Sequence, residues 1–475
     1  MRALCVALAA MVVVRAAHAQ PTQCNFENTP ETRQLNIKLP SGNYNSFLGA
    51  GVRVRCPAKQ LTLQADSLES YGDEDRFFLL GHVHYVEPRL DLTSDFLTYY
   101  RRDERVIANG NVDARLPSGS RLKGPIAEYW REIPNVRPRS RLLATGRPTI
   151  TLIQKDSAGK PTEPTTVLGN QVTMEGDSLV YAGGSVTVTR TDVIARGDSM
   201  ALDSGREITV MMRNPSIEGR RERPFTLVGE RIELTSRNRK LERVIAKGAG
   251  KAVSQDMTLS SDTIHLRVAD DLLQRAIAWG PGPVRARAKS PTQEIVSDSI
   301  DVTMPNQKIR EMHAVRDAAA EGRPDSTRFT ADTTDWMRGD TIIARFDTVP
   351  AKDTTKATKI RELVAVGDAK SYYHLAPSDS AERRAAINYV IGKEIIVSFQ
   401  DQKVSKVTVI DQAGGVYLEP KRVTQRTPSD TTRQPAPATV PSRNPAPVSR
   451  PPMTAPSRPP VTTPSKPPTA APSRP

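Results

Sequence analysis

Residues 61–112 read LTLQADSLESYGDEDRFFLLGHVHYVEPRLDLTSDFLTYYRRDERVIANGNV, and two short phrases alternate in them. The first ends a β-rich run with a small residue, Asp, any residue and an apolar one: Ala65-Asp66-Ser67-Leu68, then Ser94-Asp95-Phe96-Leu97. The second closes an apolar run with Gly, one residue and a β-branched one: Leu80-Gly81-His82-Val83, then Asn109-Gly110-Asn111-Val112. Leu61, Leu63 and Ala65 alternate with polar residues, so each run reads as a strand with one dry face and one wet face. The Gly marks a bulge or tight bend where the strand changes direction. The Asp suits a turn or corner, because a short acidic side chain can bond nearby backbone N–H groups.

Both phrases recur along the chain. Copies of the first are Gly176-Asp177-Ser178-Leu179, Gly197-Asp198-Ser199-Met200, Ser261-Asp262-Thr263-Ile264, Ser297-Asp298-Ser299-Ile300 and Gly339-Asp340-Thr341-Ile342. Ala127-Glu128-Tyr129, Gly229-Glu230-Arg231-Ile232 and Lys393-Glu394-Ile395 are degenerate copies. The second phrase returns in Ile245-Ala246-Lys247-Gly248-Ala249 and Val364-Ala365-Val366-Gly367-Asp368-Ala369. Spacings of about twenty to about fifty residues are those of stacked repeats. A single hairpin cannot bury its apolar face, whereas a stack of roughly ten can. The expected fold is therefore all-β, an elongated stack of antiparallel strand repeats. Ser380–Ile387 reads as one short helix, and 154–166, 316–328 and 346–359 read as loops.

Both ends differ from this body. Met1-Arg2, the apolar run 3–14 and Ala17-His18-Ala19 have the order of a cleaved secretory signal peptide, too short to span a bilayer. Cys24 follows Pro21-Thr22-Gln23, which is not the pattern that precedes a lipidated cysteine. From Pro420 to Pro475 seventeen of fifty-six residues are proline, a composition that builds no core and favours disordered, extended coil. The expected organisation is a signal peptide over 1–19, an N-terminal segment over 20–60, a repeat array over 61–420 and a basic Pro-rich tail over 421–475.

Composition narrows the function classes. Only 37% of residues are apolar and 5% aromatic, which suits a narrow core rather than a large globular one. The net charge of +14 is concentrated: the tail carries +8 and the signal segment +2, leaving +4 for residues 20–420. A nearly neutral body argues against nucleic acid as a partner. Cys24 and Cys56 are an even pair, expected to bridge in an oxidising compartment; two unrelated thiols are the alternative.

The double phrase resembles the OstA/LptA family of lipopolysaccharide-transport periplasmic proteins, most closely from Leu61 to Tyr129 and more weakly to about residue 420. The resemblance implies an open, twisted β-jellyroll with a greasy trough that shields acyl chains in the periplasm. It implies lipopolysaccharide or a similar amphiphile as ligand, and related jellyrolls as partners through edge-strand pairing. Contact with outer-membrane assembly machinery fits the same picture. The family carries no catalytic motif, so no enzyme activity and no cofactor are expected. Greater length, irregular insertions and the tail distinguish this chain from the family pattern.

The expected lipid-facing positions are Leu63, Leu68, Val83, Phe96, Val112, Leu179, Ile232, Ile264 and Ile300, apolar residues at matching places in successive repeats. His82 and His84 share one strand face but lack a third ligand for a metal. The recurring Asp lacks the nine-residue glycine pattern of calcium-binding rolls. The alternative to a carrier is a structural or adhesive envelope scaffold on the same repeats, with a filled interior.

Overall fold

The computed structural model describes residues 24–420, apart from 28–29, 156–157, 221–223, 281–282, 325–328, 348–357, 379–381 and 402. The chain divides into two units, Met1–Lys421 and Arg422–Pro475. Residues 1–23, which include the expected signal peptide, and the Pro-rich tail from 421 lie outside the described residues. Within the first unit the fold is all-β: the described residues form strands and two single 3₁₀ turns, Pro57–Lys59 and Pro305–Gln307.

Each repeat contributes rungs that bend in the middle. A rung is either one long strand, such as Arg76–Glu87 or Leu90–Tyr100, or two short strands broken at the bend, such as Leu61–Ala65 and Ser67–Tyr71. The two halves of a rung bond in different ladders, and the register shifts at the bend, as between Leu80 and Val83 and between Thr93 and Phe96. Two antiparallel walls result. On the first, cross-strand partners run without a break from Asn25 through Arg55, Thr62, Val86 and Asp91 to Val416. On the second they run from Leu35 through Phe47, Glu69 and Phe78 to Thr408. The strands Asn25–Glu27, Arg33–Lys38, Tyr44–Gly49 and Val52–Cys56 already belong to these walls, so the array reaches back to Asn25, within the segment 20–60 expected to lie outside it.

The bends explain the two phrases. At one kind of corner two successive residues take positive φ: Gly81 and His82, Gly110 and Asn111, Gly184 and Ser185, Gly248 and Ala249, Gly367 and Asp368. The facing corner carries the acid of the first phrase. Asp66 fills the space where a side chain on Gly81 would begin, and Asp95, Glu230 and Asp340 do the same at Gly110, Gly248 and Gly367. Glycine is required there for its left-handed backbone and for its missing Cβ. The small residue before the acid also has a task. Ser94 and Ser297 donate from Oγ across the corner to the carbonyls of Phe96 at 2.9 Å and Ser299 at 2.7 Å.

This geometry corrects several expectations. The corner between Ile150's rung and Val180's rung is Gly169-Asn170-Gln171-Val172, with Asn170 filling the space at Gly184. Gly176-Asp177-Ser178 is a turn at the far end of the second wall, so that copy was out of register. Likewise, the bend of the rung Arg121–Trp130 lies at Gly124-Pro125-Ile126, not at Glu128. Ala386 and Ile387 begin the strand Ala386–Gln400, so no helix forms there; Ser380 and Ala381 lie outside the described residues. Residues 316–322 complete the strand Glu311–Gly322, and the loop begins only at Arg323.

One apolar core lies between the walls, made by every second residue of each rung. The far ends of the rungs, opposite the corners, form a mouth where turns of the two walls meet.

Candidate functional site

The interior has two regimes. In the first rungs large side chains fill it. Tyr85, Tyr99, Phe77, Leu63, Leu68 and Leu92 are essentially inaccessible to solvent. Tyr85 meets Tyr99 and Tyr129 edge to face, each pair of ring centroids 6.4 Å apart. A buried ionic network closes the mouth above them. Glu87, on the first wall, accepts from the Tyr129 hydroxyl and from Arg131, which extends from the second wall. Arg131 also donates to the Lys59 carbonyl at 2.6 Å, and Lys59 pairs with Glu104 and reaches the Tyr99 hydroxyl at 3.1 Å. Burial pushes the Tyr85, Tyr99 and Tyr129 hydroxyls well above their ordinary pKa, with the neighbouring Glu87 and Glu104 charges adding to the effect. These tyrosines therefore stay neutral, Tyr99 donating to Glu104 at 2.9 Å and Tyr129 to Glu87, and two acids facing two cations compensate the desolvation that isolated charges would suffer.

Further along, the inward residues of the first wall become small: Ala286, Ala288, Ala318 and Ala320. Small side chains on one wall leave space that the other wall does not fill, and a cavity of about 330 Å³ opens toward the mouth. Its apolar lining includes Ile295, Ile309, Met312, Phe346, Ile360, Leu363, Tyr373, Phe399 and Val404. A second pocket of about 50 Å³, bounded by Phe225, Leu266, Leu273 and Met304, shares Met257 and Ile309 with it. Such volume and lining are those of a small-molecule site, with the polar groups gathered at its entrance.

Two contacts hold the entrance. Thr358, of the second wall, donates from its backbone N–H and hydroxyl to Asp256 of the first wall, at 3.1 and 3.3 Å. On the other side His374 and Asp335 are clasped: the His374 backbone N–H donates to Asp335 Oδ1 at 2.9 Å, and Nδ1 lies 2.7 Å from the same oxygen. Thr333 Oγ1 approaches His374 Nε2 at 3.4 Å. Burial pushes the Asp335 carboxyl above its ordinary pKa, and the His374 bonds act in the opposite direction. Beside this clasp, Phe329 is buried against the cavity.

Most of the expected lipid-facing residues do point inward. Leu63, Leu68, Val83, Val112, Ile232, Ile264 and Ile300 are buried between the walls. Two do not. Phe96 is 45% exposed on the outer face, and Leu97 takes the inner place. Leu179 is half-buried with outward parity, and Val180 is the inward residue. Phe96 follows a bend, where an extra residue reverses the face that alternation assigns, whereas Leu179 follows the far-end turn Gly176-Asp177-Ser178, which only resembles the corner phrase. The seven buried positions line filled interior, and none of the nine lines the 330 Å³ cavity. The run of inward alanines between 286 and 320 was the sequence signal for it.

His82 and His84 bond to different carboxylates, Asp66 and Asp91, each at 2.8 Å. Among the described residues no group of three or more His, Cys, Asp or Glu is arranged to hold a metal ion. Cys24 and Cys56 are disulfide-bonded, which ties the strand Asn25–Glu27 to its partner Val52–Cys56.

No family model matches the chain. No curated protein matches it either.

Proposed function

We propose that the protein is an exported, non-catalytic carrier of an amphiphile in the cell envelope, of the OstA/LptA kind, working in the periplasm in outer-membrane assembly. The observation that carries this reading is the apolar cavity between the walls, lined by Ile309, Met312, Phe346, Leu363 and Phe399 and facing the mouth. Apolar burial alone can retain an acyl chain, at about 0.8 kcal/mol per methylene, so no catalytic group is needed. The signal-like start and the disulfide agree with an oxidising compartment outside the cytoplasm. Bent antiparallel rungs facing each other across an apolar layer support the jellyroll reading. Related jellyrolls adding to the terminal strands Arg33–Lys38 and Gly414–Leu418, whose residues are exposed, belong to the same proposal.

A specific observation favours the second reading for the first rungs. Around Tyr85, Tyr99 and Tyr129 the interior is filled and its mouth is sealed, as in a structural scaffold. The carrier function is therefore assigned to the rungs from Thr258 onward. Displacement of a fluorescent apolar probe by amphiphiles tests it. Wild type should bind the probe and release it to amphiphile, while Ala320→Phe, which fills the cavity, should lose at least tenfold in probe affinity. A folded wild type that binds no probe would leave the scaffold as the better reading.

A further inference from the structure

We infer that Arg243 and Arg267 form a phosphate-binding site on the outer face of the second wall, apart from the cavity and independent of the carrier reading. Arg243, Arg267 and Arg275 stand directly opposite one another on three adjacent strands, Lys240–Val253, Thr258–Ala269 and Leu272–Trp279. Their chain neighbours Val244, Leu266, Val268 and Ala276 are buried between the walls, so alternation turns the three arginines outward together. Directly opposite residues have Cβ atoms about 5 Å apart, and like charges so placed destabilise a sheet. Such a row needs anions between its members.

The protein supplies only one. Asp301 holds Arg275, whose Nε donates to Oδ1 at 2.7 Å. Arg243 has the neutral Thr235 hydroxyl, to which it donates at 3.2 Å, and Arg267 bonds to no described residue. Residues 224–280 are described without a gap. The acids on these three strands and on the adjoining Arg231–Arg237 are otherwise placed. Glu242 pairs with Arg237 at 3.3 Å, Asp262 accepts from the Thr263 hydroxyl at 2.9 Å, and Glu233 stands opposite Ile245 rather than an arginine. Arg243 Nε and the Nε2 of His265, two residues before Arg267 on the same face, are shielded from water and find no partner among the described residues. Burial, and then the charges of Arg267, Arg243 and Arg275, hold the His265 pKa below its ordinary value, so the local potential is positive. Two adjacent guanidiniums, each a planar fork of donors, match the oxygens of a phosphate monoester. A phosphate between Arg243 and Arg267 accepts from both and offsets their repulsion, as Asp301 does at Arg275. Free phosphate and a phosphomonoester lipid headgroup share this chemistry.

The test uses the full-length protein with inorganic phosphate, and with phosphatidylcholine vesicles with and without phosphatidic acid, whose headgroup is a phosphate monoester. Compared with chloride at equal ionic strength, phosphate should bind saturably and move the NMR titration of His265 to higher pH, because a bound anion lowers the positive potential there. Arg267→Gln, at an exposed position, should weaken phosphate about tenfold. Arg243→Gln should act in the same direction. Arg338→Gln, which removes an exposed arginine from the first wall, should leave the affinity unchanged. Phosphatidic acid vesicles that bind wild type but not Arg267→Gln assign the site to a lipid headgroup. Phosphate binding without vesicle binding assigns it to a soluble phosphate; either result supports the site. A His265 titration that phosphate and chloride move equally would overturn it. So would an affinity that Arg267→Gln leaves unchanged, or that Arg338→Gln lowers as much, since the row would then be ordinary surface charge.

Discussion

Asp66 and Gly81 share one space: the Asp66 carboxylate lies where a side chain on Gly81 would begin, and the Asp66 N–H donates to the Gly81 carbonyl at 3.0 Å. The two phrases that recur in the sequence are thus two sides of one corner. Gly81→Ala should strain a backbone held at φ 73° and collide with Asp66. A cost of about 1–3 kcal/mol is expected, and Asp66→Ala in the same chain should return the steric part of it. Repeat arrays open locally, so the measurement is amide hydrogen exchange in Leu61–Ala65 and Arg76–Glu87. Unchanged protection in Gly81→Ala would contradict the corner.

The same corner perturbs a histidine. His82 Nδ1 lies 2.8 Å from Asp66 Oδ2, and that hydrogen bond raises the His82 pKa above its ordinary 6.5. A raised folded-state value means that the contact helps folding below the unfolded pKa and that the help fades as pH rises through the folded one. His82 is fully exposed, so the effect on stability is small. An NMR titration should show the raised value in wild type and a fall toward 6.5 in Asp66→Asn. Identical titrations would mean that the bond is not made in solution.

Parity at the bend gives a sharper contrast. Leu97 is fully buried, whereas its neighbour Phe96 is exposed on the outer face. Leu97→Ala should cost about 2–5 kcal/mol, while Phe96→Ser should stay within about 0.5–1 kcal/mol. Thermal unfolding of the two variants ranks them. The opposite order would place the bend one residue away.

The sealed mouth of the first rungs depends on Glu87. Glu87→Ala leaves Arg131 and the Tyr129 hydroxyl without their shared acceptor. A loss of about 3 kcal/mol is expected, because Arg131 loses its nearest acid and keeps only Glu104 at 3.7 Å. Arg131→Met in the same chain should recover part of it. Urea unfolding of the single and double variants measures the coupling, and simple additivity would show that the network does not act as a unit.

The Cys24–Cys56 bond closes a loop spanning thirty-two positions. On the chain-entropy view it contributes roughly 3.5–4 kcal/mol. Thiol labelling of the denatured, unreduced protein should find neither cysteine free. Reduction should loosen the strand Asn25–Glu27 first, read as early hydrogen exchange there.

How much of this was legible in the sequence depends on the bend. Asp66 with Gly81 and Asp95 with Gly110 announced the corners, because each demands a particular residue type for steric reasons. Asn170 and Pro125 occupy the same place without the acid, so their corners passed unread and Asp177 was taken for one instead. Alternation carried across a bend loses its parity, which puts Phe96 outside, while Leu179 follows the turn at Asp177 and not a corner. The strands Arg33–Lys38 and Tyr44–Gly49 escaped notice since they lie before the first complete phrase. The cavity was hardest to foresee. It opens beside the small side chains of Ala288 and Ala320, and a hydrophobic pattern records which residues face inward, not how much space they leave.

The central claim is that an acyl chain lies between the walls near Val404 and Phe346. The most direct test is photo-crosslinking in the envelope of living cells, with the reactive residue placed at Val404, on the cavity lining, or at Phe96, on the outer face. Lipid adducts at Val404, none at Phe96, and their loss when Ala320→Phe is added are the expected result. A folded protein that yields no lipid adduct at Val404, or equal adducts at both positions, would contradict the account.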